Sequence, residues 1–135
     1  MKIEDVEGIG PTFAAKLTEA GVATTDDLLD RGGTSAGRDR LSEATGISER
    51  LLLEWVNHAD LMRINGVGSE YADLLEAAGV DSCAELAQRN AANLATTFQE
   101  LDAARPNTVR QIPSEATIAG WIAQPGNLAK VVSHR

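Results

Sequence analysis

Apolar positions recur along the chain at helical spacing, and the polar residues between them are of the kinds that start and stop helices. Phe13, Ala14 and Leu17 share one helical face, with Pro11 at the first turn and Gly21 at the end. Thr24 with Asp27, and Ser82 with Glu85, have the spacing of a capping box and open short helices through Leu28-Leu29 and Leu86-Ala87. Further helices are predicted at about 35–45 and 91–104, the second with Leu94, Phe98 and Leu101 on one face. Ser48 and Ser114 cap the helices that carry Leu52, Trp55, Val56 and Ala59, and Ile118, Trp121 and Ile122. No stretch alternates as a half-buried strand would. The pattern predicts an all-α fold of about five short helices in each half.

The halves resemble each other. Laid over residues 64–89 without a gap, residues 6–31 share Gly8/Gly66, Gly10/Gly68, Ala14/Ala72, Leu17/Leu75, Ala20/Ala78, Gly21/Gly79, Val22/Val80, Leu28/Leu86 and Arg31/Arg89. The similarity resumes at "ISERLLLEWV" and "PSEATIAGWI", which pairs Trp55 with Trp121. The shift in register leaves about eight extra residues in the second copy, assigned to the loop "ARPNTVRQIP". The chain is therefore expected to be an internal duplication, with copies at 1–62 and 63–135 sharing one core. Trp55 and Trp121 are expected to anchor that core, a role that matching tryptophans on apolar helix faces take more often than base stacking.

Each copy opens on a Gly-apolar-Gly turn. Glycine tolerates positive φ and lets other backbone come close, while Ile9 or Val67 can point inward and pin the turn. The amides that follow sit at a helix N-terminus, where unpaired donors and the dipole favour an anion.

Residues 61–77, "LMRINGVGSEYADLLEA", resemble the helix-hairpin-helix motif, as does "IEDVEGIGPTFAAKLTEA" at 3–20, whose first helix is cut short. The whole chain, with its duplicated glycine units, GV-x-(S/T) turns and W-(V/I) helices, resembles the DUF4332 family of small helix-hairpin-helix-like proteins without an assigned activity. In the helix-hairpin-helix family the hairpin amides usually hold a DNA phosphate, sometimes through a monovalent cation bound by hairpin carbonyls. The resemblance implies a phosphate site at Gly8, Ile9, Gly10 and Thr12 with Lys16, and a second at Gly66, Val67, Gly68 and Ser69. The second copy departs from the binding pattern, because Glu70 and Asp73 occupy its first turns and oppose a phosphate. Arg38, Arg40 and Arg63 form a candidate basic rim, and Arg105 and Arg110 add charge in the loop. The same arginines also read as ordinary surface residues interleaved with Asp39, Glu43 and Glu49.

Charge shifts the balance between these uses. Twenty acids against twelve bases give a net charge of −8, which repels nucleic acid at long range. The hydrophobic content of 43% supports a real core, and no apolar run is long enough to span a membrane. A single cysteine, Cys83, excludes an intramolecular disulfide, and with no apolar leader visible a reduced, cytoplasmic setting is expected. Catalysis is not expected. His58 reads as a surface or edge residue, His134 lies beside the chain end, Cys83 reads as a first-turn packing residue, and no metal-ligand or phosphate-loop spacing occurs. No cofactor or metal is expected. The reading is a non-catalytic helical module that binds a protein partner or itself, with weak nucleic-acid backbone binding through the Gly8–Gly10 hairpin as the alternative.

Overall fold

The structure is a computed structural model that describes residues 1–6, 8–104, 111–125, 128 and 130–133. It is all-helical. A short 3-10 turn at Ile3–Asp5 precedes α1 (Pro11–Glu19), α2 (Thr25–Gly32), α3 (Ser35–Thr45) and α4 (Glu49–Leu61). Then come α5 (Ser69–Ala77), α6 (Cys83–Leu86), α7 (Ala91–Ala104) and α8 (Glu115–Ile122). Among the described residues there is no strand, only an isolated bridge between Lys2 and Thr24. Among the described residues each half has four α-helices rather than about five, because the lead-in to each glycine turn is not a separate α-helix. In the first half it is the 3-10 turn, with Val6 N–H on Ile3 O at 3.3 Å; in the second it is the end of α4, with Ile64 N–H on Leu61 O at 3.1 Å. Arg105 and Arg110, most of the inserted loop, and His134 lie outside the described residues.

The helix boundaries follow from local chemistry. Pro11 occupies the first turn of α1, where its missing donor is not needed. At the end of α1, Val22 N–H bonds Leu17 O at 2.8 Å and Gly21 N–H bonds Thr18 O at 3.0 Å. This is the Schellman arrangement, with Gly21 at φ +91° and Val22 and Leu17 both fully buried. Helix α5 ends the same way, with Val80 on Leu75 O, Gly79 on Glu76 O and Gly79 at φ +89°. Thr24 and Asp27 form a reciprocal capping box at α2. At α6 Ser82 accepts from Glu85 N–H, while the Glu85 carboxylate receives Arg89. Ser48 and Ser114 accept from Leu51 N–H at 3.2 Å and Thr117 N–H at 3.1 Å, as caps should.

The chain divides into two compact units, one of Met1–Asp60 with Val131–Arg135 and one of Leu61–Lys130. In the first unit α2 packs on α3, and Ile3, Val6, Ile9, Leu17, Val22, Leu28, Leu52 and Trp55 are buried. In the second, α7 packs on α8 over a cluster that includes Val67, Leu75, Leu86, Leu94, Phe98, Ile118 and Trp121. Cys83 is buried in this cluster. His58, expected at the surface or an edge, is instead buried at 1% exposure, its Nδ1 2.8 Å from Glu54 O. The physical reason is that α4 is buried on every side from Trp55 to Leu61, so its polar positions point into protein.

Candidate functional site

The two glycine turns have matching geometry. Gly8 and Gly66 take φ +89° and +97°, a region open to glycine and strained for other residues. Ile9 and Val67 between the glycines are buried, each amide bonded to the carbonyl three residues back at 3.0 Å. Gly10 and Gly68 are extended, at φ −84° and −91°, and serve as the N-caps of α1 and α5. The indoles close the turns from inside. A Cβ on Gly8 would lie 3.4 Å from Trp55 Nε1, and one on Gly66 would lie 3.0 Å from Trp121 Nε1. Phe13 and Tyr71 then pack against these indoles, each with ring centroids 5.2 Å apart and tilted planes. Trp55 and Trp121 are thus core residues, each 2% exposed.

The outward sides of the turns differ. At the first, Gly10, Thr12 and Lys16 are all exposed, and Lys16 Nζ stands 6.0 Å from the Phe13 ring centroid. At the second, Ser69 is half-buried, and Ser69, Glu70 and Asp73 each interact with other groups of the chain. A Cβ at either Gly10 or Gly68 would meet nothing within 4 Å.

Of the expected basic rim, Arg38 does not take the surface position that the sequence suggests. Arg38 is buried, with its guanidinium on Gly32 O at 2.9 Å, Gly33 O at 3.1 Å and Ser133 O at 2.6 Å. Burial pushes its pKa down, partly opposed by the Glu49 carboxylate, and an arginine stays charged through such a shift. The alternation of charge on α3 hides this, because Arg38 sits one turn into the helix on its inner side. Arg63 is half-buried and Arg40 is exposed.

Arg40 lines a groove of about 450 Å³ at the junction of α2 and α3, together with Ala20, Asp30, Arg31, Thr34, Leu41 and Ala44. A smaller groove of about 210 Å³ lies at the matching junction of α6 and α7, lined by Gln88, Arg89, Asn90, Asn93, Leu94 and Thr97. In both, the N-cap of the second helix is a lining residue: Thr34 accepts from Gly37 N–H, and Asn90 accepts from Asn93 N–H, each at 3.0 Å.

Two arginines carry a role that the sequence signals only by their matching positions in the two similar stretches. Arg31 Nη1 donates to Ala20 O at 3.3 Å and Arg89 Nη2 to Gly79 O at 3.0 Å. Each lays a cation over the carbonyl end of the preceding Schellman turn, where the helix dipole favours it. Asp27 is the second electrostatic fixture. The Ala23 amide, then the Thr24 hydroxyl and amide, hold its carboxyl below the usual aspartate range. Among the described residues no group of three His, Cys, Asp or Glu side chains is placed to hold a metal, and no helix is long and apolar enough to cross a membrane.

The fold and turns define an all-α protein of two small helical units, each built on a glycine turn closed over a tryptophan. The chain belongs to the family described as Domain of unknown function (DUF4332), whose model matches residues 7–128. No curated protein and no solved structure matches the chain.

Proposed function

We propose that the protein is a non-catalytic helical module that binds another protein through the grooves at its α2–α3 and α6–α7 junctions. The observation that carries this reading is their placement: both units leave a groove open at the same junction, beside a helix N-cap and a turn-latching arginine. The first groove combines an aliphatic floor of Leu41 and Ala44 with Arg31, Arg40 and Asp30, a mixture suited to a partner's side chains. The glycine turns, by contrast, are filled from inside by the chain's own indoles. A net charge of −8 also opposes a nucleic-acid partner. A reduced, cytoplasmic setting accords with a lone, buried cysteine.

Ala44 is exposed, so an Ala44→Cys variant carrying a photo-cross-linker tests the first groove without competition from buried Cys83. The expected result is a discrete protein adduct, identified by mass spectrometry and diminished by Arg40→Glu. An adduct pattern equal to that of a label placed at exposed Glu100 would refute the reading.

One observation favours a second reading, weak sequence-independent binding of a nucleic-acid backbone at Gly8, Ile9, Gly10, Thr12 and Lys16. Gly10 leaves the start of α1 uncovered, and a Cβ there would meet nothing within 4 Å. Fluorescence anisotropy with duplex and single-stranded DNA separates the readings. Binding that weakens steeply with salt and is lost in folded Gly10→Glu supports the second; no binding at low salt retires it.

A further inference from the structure

We propose that the first unit contains a peptide-binding notch, built from Gly33 and Arg38, and that Val131–Ser133 is its resident ligand held in cis. The recognised class is an extended segment with one buried aliphatic side chain followed by a residue that offers its backbone to both walls.

The contacts have the character of recognition rather than of core packing. Ser133 N–H donates to Gly33 O at 2.7 Å, and Ser133 O accepts from Arg38 Nη2 at 2.6 Å, so one residue is gripped by its main chain from both sides. Backbone pairing of this kind supplies affinity, while a pocket for a single side chain supplies selectivity. Val132 is that side chain: it is 4% exposed, whereas Val131 before it is exposed. Gly33 admits the segment because Val131 O occupies the place where a Cβ would stand. The segment itself belongs to no helix, and the groups that grip its main chain, Gly33 O and Arg38, lie within one short run from Gly32 to Arg38.

Arg38 marks the notch as a device added to the fold. It is the fourth residue after the N-cap Thr34, and the fourth residue after the N-cap Asn90 in the second unit is Leu94, buried at 2%. The helix pair therefore closes with an aliphatic residue at this position. The first unit carries a buried cation there, and two of its three carbonyl acceptors are local. The third comes from the segment, 95 residues away in sequence. A buried cation is costly when its acceptors are missing, so Arg38 gives the unoccupied notch a standing preference for a peptide carbonyl.

The test uses the chain ended after Lys130 and a fluorescently labelled peptide of residues 130–135. The expected result is saturable binding to the shortened chain and at least tenfold weaker binding to the full chain, whose own segment competes at high effective concentration. Arg38→Leu in the shortened chain, which installs the side chain that Leu94 supplies in the second unit, is expected to keep the fold and lose at least tenfold in affinity. Equal binding by the two chains, equal binding by Arg38→Leu, or none to a folded shortened chain overturns the proposal. Should the shortened chain fail to fold, hydrogen exchange in the full chain decides. Arg38→Leu is then expected to raise exchange at the Ser133 amide at least tenfold while the Val22 and Leu52 amides keep their protection. Unchanged protection at Ser133 overturns the notch.

Discussion

Glycines two positions apart in each turn respond differently to the same substitution. Gly8→Ala and Gly66→Ala force a Cβ into positive φ, at a cost of about 1–2 kcal/mol. Gly66→Ala is the worse of the two, because its Cβ would stand 3.0 Å from Trp121 Nε1 rather than 3.4 Å from Trp55 Nε1. Gly10→Ala and Gly68→Ala enter open space in extended backbone, so they carry no strain and range from neutral to a loss of about 0.5 kcal/mol, that of a poorer N-cap residue. Urea unfolding followed by tryptophan fluorescence checks all four, and a Gly10→Ala loss as large as that of Gly8→Ala would contradict the turn geometry. Asp27 predicts a pH dependence of definite sign. Its folded pKa is depressed, so its contribution is present above the unfolded value and is lost as pH falls through the folded one. The stability difference between the wild type and Asp27→Asn should therefore be full at neutral pH and close below the ordinary aspartate range. A difference that stays constant down to acid pH would assign the effect to geometry instead of charge.

Caps and latches govern the elements, and they were the most legible part of the sequence. Ser/Thr-x-x-Asp/Glu spacing, Pro11 and the two terminal glycines located α1, α2, α5 and α6 because capping chemistry is local and leaves a residue-level trace. Thr24→Ala is expected to cost about 1 kcal/mol by equilibrium unfolding, since the Asp27 amide loses its acceptor. The Arg89–Glu85 pair, at 2.9 Å with both side chains about a third exposed, is a weaker fixture. Arg89→Met should cost no more than about 1 kcal/mol, and the part due to the ion pair should shrink in high salt. Burial set by distant chain left no such trace. Arg38 and His58 have polar neighbours in sequence, and what buries them is tertiary, so spacing alone placed both at the surface.

For the molecule as a whole, the duplicated pattern identified matching turns because the same residues recur in the same order. The return of Val131–Ser133 to the first unit was not legible, since three residues with one anchor carry no periodicity. Each unit contains a single tryptophan, so Trp121→Phe leaves a reporter on the first and Trp55→Phe one on the second. Leu28→Ala and Leu86→Ala each remove a fully buried side chain and should destabilise by about 2–5 kcal/mol. Each loss is expected to register most strongly on the tryptophan of its own unit. Equal displacement of both reporters by either variant would mean that the two units unfold as one cooperative body.

The open space above Gly10 and Gly68 has a consequence for selection. In a library of variants scored for folded abundance, these positions should accept many side chains, whereas Gly8, Gly66 and Gly33 should not. In a parallel library scored for growth, intolerance confined to position 10 or 68 would report the fitness value of a contact made outside the chain. The two extended glycines thus separate what the protein must do to persist from what it must do to be useful.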